Sequence, residues 1–426
     1  MHLLKKAFEK CQKVEIESEI GRIQVHVFER LMKALKPKER INSKAYLLLA
    51  AKACIHMSYR DAAEMLRLFL HREEQDAFKL RTLSDTVNRV GDKISEELEK
   101  ITSEVLWMFG FDQNTGLPQV SAELSEHLTT DTSAFSDPLY IHQIQEAINA
   151  VNQSSAEKVS LDAEKSELKA ELSGCVYISV DEVGVKRQKD SRAPGSARDS
   201  KYVENTVIHI QYGSDCYILT ANGIHRAMKS ALAFLAANGL LRRELVFFTD
   251  GARNIKNSIE SLFAFHSYVI VLDWFHLKKK CQELLSMALK GRDVRNDVLT
   301  KLLRILWAGQ LDTAVDYLQS LSSSIIKNCK WLDSLIQYLK RKQDAVSCYA
   351  VRAALGLRNS SNLVERANDL LVAQRQKHNG MSWSKQGSSA LASITMIFQN
   401  NMDTAWFYQG CFPFSIDSHS SVSLCA

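Results

Sequence analysis

An acid set in a run that otherwise asks to be buried narrows the folds open to a chain. Residues 176–185 (VYISVDEVGV) are such a run, with Asp181 and Glu182 near its far end. Its β-branched and aromatic residues suit a strand. Desolvating a carboxylate costs several kcal/mol unless it is paired or binds a metal. Glu182 alternates to the opposite face, so Asp181 is the acid that needs a reason. Two later stretches repeat the pattern: LVFFTDGARN puts Asp250 after an apolar run, and NLVERANDLL puts Glu365 in a helical one. Acids at the ends of three separate elements point to a metal site. The alternatives are local: Asp250 as a helix cap, and Glu365 as the partner of Asn362 in a capping box. Asp369, one turn beyond Glu365, is the fallback ligand.

Over residues 176–276 the periodicity is that of strands alternating with helices. YVENTVIHIQYG and CYILTANG follow the first strand, separated by Gly213, Ser214 and Asp215. Residues 225–239 then read as a helix ended by Gly239, ELVFFTDG as a strand, ARNIKNSIESLFAF as a helix and SYVIVLDWFH as a strand entering a helix. This order predicts a mixed α/β fold, a ribonuclease H-like core sheet with helices on both faces. With the first strand central and parallel to the fourth, Asp181 and Asp250 come side by side at neighbouring carboxyl ends. Two carboxylates so close repel each other unless cations neutralise them. Hard oxygen ligands select two ions of Mg²⁺ or Mn²⁺.

The flanks read as helical. Residues 1–110 are expected to be an all-α DNA-binding region, with a helix-turn-helix at 58–98 or, equally, an ordinary helical hairpin. Ser58 would cap the first helix and Thr82 or Ser84 the second, presenting Ser84, Thr86, Asn88 and Arg89 to a groove. Residues 111–175 read as a loop and a charged helical connector, 176–290 as the first part of the core and 291–358 as an all-α insertion. Residues 359–408 would complete the core around the third acid, leaving 409–426 as a tail that reads as disordered after Phe412. Asp273 and His276 form a D-x-x-H at a strand-to-helix junction. By itself that spacing allows Asp273 as a cap and His276 bonded to a backbone carbonyl.

Charge and composition set the remaining bounds. A net charge of +5 permits an anionic partner without demanding one. The loop 186–201 holds six Lys/Arg against two Asp. Cations expected on a phosphate backbone are Lys186, Arg187, Lys189, Lys278, Lys279, Arg366, Arg375 and Lys377, with Trp383 beside them. Nine cysteines without a C-x-x-C pair argue for reduced thiols rather than a zinc ribbon. No apolar run reaches about 20 residues. A cytoplasmic location without membrane attachment is therefore expected.

Residues 176–398 resemble the DDE transposases of bacterial insertion sequences, in the branch related to Mutator-like and hAT elements. The likeness rests on VDEVGV, FFTDGARN, the D-x-x-H form of a C/D-x-x-H motif in DWFH, the helical insertion, and LVERANDLL followed by KHNGMSWS. It implies Asp181, Asp250 and Glu365 as catalytic triad and ligands of two Mg²⁺ or Mn²⁺ ions, with Asp273 and His276 as a motif near the active site. It implies cleavage of transposon-end DNA, strand transfer into target DNA, terminal repeats held by the N-terminal helices, a homo-oligomer on DNA, and association with the nucleoid. A ribonuclease H-like nuclease without strand transfer, or a catalytically silent DNA-binding derivative, are the alternatives.

Overall fold

The computed structural model describes residues 12–18, 21–27, 44–69, 79–112, 115–117, 128, 131, 137–188, 201–377 and 381–416. The chain divides after Tyr46 into two compact units. The first contains an antiparallel hairpin, β1 (Gln12–Ser18) and β2 (Gly21–Val27), in which Ser18 pairs with Gly21 and Gln12 with Val27. An all-helical N-terminal region is therefore corrected. Val14, Ile16, Ile23 and Val25 alternate with polar residues, a period of two that suits strands and not helices.

Helix α1 (Lys44–His56) spans the division, and the second unit continues with α2 (Tyr59–Phe69) and α3 (Leu80–Met108). Ser58 caps α2 as expected, its Oγ accepting from the Asp61 amide at 3.2 Å. The N-cap of α3 is Lys79 rather than Thr82 or Ser84. Two connector helices follow, α4 (Pro138–Ser154), capped by Asp137, and the short α5 (Leu168–Leu172).

Next come β3 (Cys175–Lys186), β4 (Tyr202–Tyr212), β5 (Asp215–Ala221), α6 (Ile224–Ala237), β6 (Glu244–Thr249), α7 (Arg253–Leu262), β7 (Tyr268–Leu272) and α8 (Trp274–Ala288). The strands form one mixed sheet in the order β5-β4-β3-β6-β7, with β4 antiparallel to both β3 and β5, and β6 and β7 parallel to β3. Every residue of β6 is buried, as a central parallel strand requires. Alternation sends Val246 and Phe248 into one cluster with Leu277, Leu285, Leu302 and Leu335. Phe247, pointing the other way, meets the Phe263 ring at 5.1 Å.

Helices α9 (Arg292–Trp307), α10 (Leu311–Gln319), α11 (Cys329–Arg341) and α12 (Tyr349–Ala354) build the insertion on the Val246–Phe248 side. The chain then returns to the sheet as α13 (Asn362–Asn368), which a π turn (Asp369–Ala373) continues, and ends on α14 (Lys385–Gln399). The expectation of disorder after Phe412 fails for residues 413–416. Tyr217 donates to Pro413 O at 2.8 Å, the Ile416 amide donates to Asn238 Oδ1 at 2.9 Å, and the Phe414 ring stands edge-on to Phe234. Residues 417–426 lie outside the described residues. Among those described, no helix is long and apolar enough to cross a membrane, and no cysteine is in a disulfide.

Candidate active site

Strand register builds the site. Val180 on β3 pairs with Thr249 on β6, and Thr249 with Leu272 on β7. The next residue after each is an aspartate, on β3 itself and just past the ends of β6 and β7, so Asp181, Asp250 and Asp273 stand in a row across three adjacent strands. The parallel strands of the β-α-β units end at this edge, where α/β sheets place their ligands.

Each aspartate is held differently. Asp181 Oδ1 accepts from the Glu182 amide at 2.8 Å and Oδ2 from Asn368 Nδ2 of α13. Burial pushes its carboxyl up to about 6; Asp250 and Glu365 push the same way, and the Glu182 amide and His276 oppose them. Asp250 Oδ1 accepts from the Ala252 amide at 2.7 Å, so it turns the chain into α7 while its side chain stays half-buried at the edge. Asp273 is fully buried and caps α8. Its Oδ1 accepts from the His276 amide at 2.8 Å and from His276 Nδ1 at 3.1 Å. Its Oδ2 accepts from the Ser361 amide and, at 2.8 Å, from Ser361 Oγ. Burial alone would raise the Asp273 carboxyl, but these bonds outweigh it and hold the group below the usual range.

Glu365 reaches the row from α13, and the structure answers the capping alternative. The helix begins after Ser361, which places Val364 rather than Glu365 at the third helical position. The Glu365 carboxylate is therefore free of a capping box. Its Oε1 lies 3.9 Å from His276 Nδ1. His276 bonds the Asp273 carboxylate and not a backbone carbonyl. That bond holds the imidazole above its ordinary range against burial, and Asp273, Asp181 and Asp250 add to it. Asp273, His276 and Glu365 offer ligand atoms all within 4.8 Å of one another. Asp369 is exposed.

Sequence reasoning missed three groups here. Asn368 lies one turn beyond Glu365, a spacing that already put both on one face. Ser361 is a recognisable cap residue, but its partner Asp273 lies 88 positions away. Lys342, just past α11, donates from Nζ to Gly251 O beside Asp250. Burial lowers the Lys342 ammonium from its ordinary range, with Asp250 opposing. Glu182, on the other face as expected, accepts from Asn254 Nδ2 at 2.6 Å.

The expected DNA contacts separate by burial. Arg89, Lys186, Lys278, Lys279, Arg366 and Lys377 are exposed, and Ser84, Asn88 and Arg187 are half-buried. Thr86 is buried, with its hydroxyl donated to Thr82 O, so it has no face for a groove. Helix α3 packs on α14 and α6 and is part of the core rather than a projecting reading head. Arg375 and Trp383 are also interior. Arg375 donates to Cys54 O at 2.8 Å and lies 5.0 Å from the Trp383 ring, whose Nε1 donates to Gln376 O. Lys189 lies outside the described residues.

Comparison with family models, with curated proteins and with solved structures finds no match to this chain.

Proposed function

We propose that this chain is a DDE transposase that cuts DNA phosphodiesters at the ends of a mobile element and joins the freed 3′ hydroxyl to target DNA. The observation that carries the reading is the placement of Asp181, midway along β3, beside Asp250 just past the carboxyl end of β6, with Glu365 brought to the same edge by α13. The strand order supports reading the sheet as ribonuclease H-like: an antiparallel meander extended by two strands parallel to its first.

The donor chemistry fits a pair of Mg²⁺ or Mn²⁺ ions held by Asp181, Asp250 and Glu365. All three offer hard oxygen atoms, and the Asp181 carboxyl is raised first by burial and then by the nearby Asp250 and Glu365 carboxylates, whose shared negative charge a cation would offset. When bound, such ions activate water and stabilise charge on the phosphorus. The chain's own groups supply position. Asn368 orients Asp181, the Ala252 amide fixes Asp250, and His276 places a proton-bearing ring beside Glu365. Lys278 and Lys279 on α8 and Arg366 next to Glu365 are exposed cations suited to phosphates along the same edge.

Incubating the protein with labelled element ends, a target plasmid and Mg²⁺ tests this. Joined products are expected. Cuts without joining would favour a nuclease, and DNA binding without cuts a silent derivative. Asp181→Asn should abolish cutting and leave DNA binding within about threefold; full activity in that variant would sink the assignment.

A further inference from the structure

We propose that Asp273 is a positioning residue rather than a metal ligand: it fixes Glu365 by tying the start of α13 to the end of β7. The proposal rests on the reading of Glu365 as a catalytic acid.

An ionised carboxylate has about four acceptor sites, and Asp273 has four donors on it. His276 occupies Oδ1 through its amide and its ring, and Ser361 occupies Oδ2 through its amide and its hydroxyl. The side chain is fully buried. Binding an ion would require it to release His276 or Ser361. The closeness of Asp273 and His276 thus follows from hydrogen bonds already made, with Glu365 Oε1 3.9 Å from the same His276 Nδ1.

The tie leads directly to Glu365. Ser361 is the N-cap of α13 and is itself buried. Its carbonyl accepts from the amides of Val364 at 2.8 Å and Glu365 at 3.2 Å. The path from Asp273 through Ser361 to the Glu365 backbone is therefore continuous. A second link runs parallel to it, the Trp274 amide donating to Asn359 O at 3.0 Å. Without these bonds the first turn of α13 loses its tie to β7, and an untied helix start is the kind of segment that frays. The D-x-x-H spacing has a physical reason on this view: the aspartate caps α8, and a residue three positions on is the one whose ring can return to the cap.

The test compares full-length wild type with Ser361→Ala, Ser361→Thr, Asp273→Asn and the double variant Asp273→Asn/Ser361→Ala. Three quantities are read: hydrogen–deuterium exchange over residues 361–368, Mn²⁺ binding by electron paramagnetic resonance, and DNA cleavage with kcat and KM separated. Ser361→Ala removes one bond and should speed exchange in 361–368 by about five- to tenfold. It should lower kcat without raising KM for DNA, and Ser361→Thr should restore both. Asp273→Asn should have the larger effect, and the double variant should match it, because both act through one contact. Mn²⁺ stoichiometry should be the same in all. The proposal is overturned if Asp273→Asn loses a bound Mn²⁺ while exchange over 361–368 is unchanged, or if Ser361→Ala is silent in every readout. If wild type neither binds Mn²⁺ nor cuts DNA, the transposase reading falls, and the exchange pattern still decides whether Asp273 holds α13.

Discussion

Glu171 and Arg352 face each other as a two-pronged ion pair with 1% of each side chain exposed. Nη2 of Arg352 donates to Glu171 Oε2 at 2.8 Å, and Nε donates to Arg358 O at 2.8 Å. The guanidinium also lies 5.7 Å from the Phe248 ring of the central strand. One contact thus joins the connector before the sheet to the last helix of the insertion. Removing a single partner strands a charge in the core. Glu171→Gln or Arg352→Met is expected to cost about 3–5 kcal/mol. The paired change Glu171→Leu/Arg352→Met should cost less than either alone, and thermal unfolding of the three variants checks this. A double variant less stable than both singles would refute it.

The Asp181 carboxyl offers a pH-dependent prediction. Its folded-state value near 6 lies above its ordinary 3.8, so the unfolded chain loses this proton first as pH rises. The group's contribution to stability is complete below about pH 3.8 and is lost as pH rises through about 6. In chelator-treated buffer Asp181→Asn should therefore be more stable than wild type at pH 7.5, by about 1–2 kcal/mol. The difference should vanish near pH 3.5. Mn²⁺ should raise the melting temperature of wild type at pH 7.5 and leave that of Asp181→Asn nearly unmoved. A variant melting below wild type at pH 7.5 without metal would contradict the assigned shift.

These two sites differ in how far the sequence foretold them. Asp181 and Asp250 were legible because each directly follows a buried apolar run, and three meandering strands followed by β-α-β units set those two runs parallel. Glu171 lay in a helical, charged stretch that looks like solvated surface and Arg352 alone in an apolar helical one, and nothing local marks the two as partners 181 positions apart. Arg375 and Trp383 were misread for the same reason. A cation near an aromatic suits a phosphate backbone or an interior stack equally well, and only burial distinguishes them. Thr86 followed from reading α3 as a free helix, when its apolar stripe continues for a length that only core packing explains. The hairpin at 12–27 was hidden by carrying the helical period of the following segment back over alternating residues.

Gly251, next to Asp250, has a positive φ of 82°. A Cβ there would lie 2.9 Å from Leu272 Cδ1 and 3.0 Å from Lys342 Cε. Leu272 is fully buried, so the neighbour with room to give is Lys342. Gly251→Ala should destabilise by about 1–3 kcal/mol through φ and crowding together. It should also move the adjacent carboxylate, cutting the cleavage rate at least about tenfold. Adding Lys342→Ala removes one of the two crowding neighbours together with the Nζ bond to Gly251 O, so it should recover part of the stability and little of the rate. Melting curves and single-turnover cleavage on the two variants distinguish these effects, and unaltered cleavage by Gly251→Ala would show that the loop conformation does not set Asp250.

Gly91 lies in the middle of α3, where alanine would ordinarily favour the helix by about 1 kcal/mol. Here a Cβ would fall 2.3 Å from Ala390 Cα and 2.5 Å from Ala390 Cβ of α14. Backbone is the nearest atom, so no rotamer change can relieve the contact. The helices are also cross-linked nearby by the Ser95 and Ser393 hydroxyls at 2.9 Å. Overpacking of this kind costs about 1–3 kcal/mol, enough to exceed the propensity gain. Gly91→Ala is thus expected to lower the melting temperature, and Gly91→Val to lower it further. Ala390→Gly should restore part of the loss in Gly91→Ala by opening the contact from the other side. If Gly91→Ala instead stabilises the protein, α3 and α14 do not meet at this point, and the interior placement of Thr86 would fall with that contact.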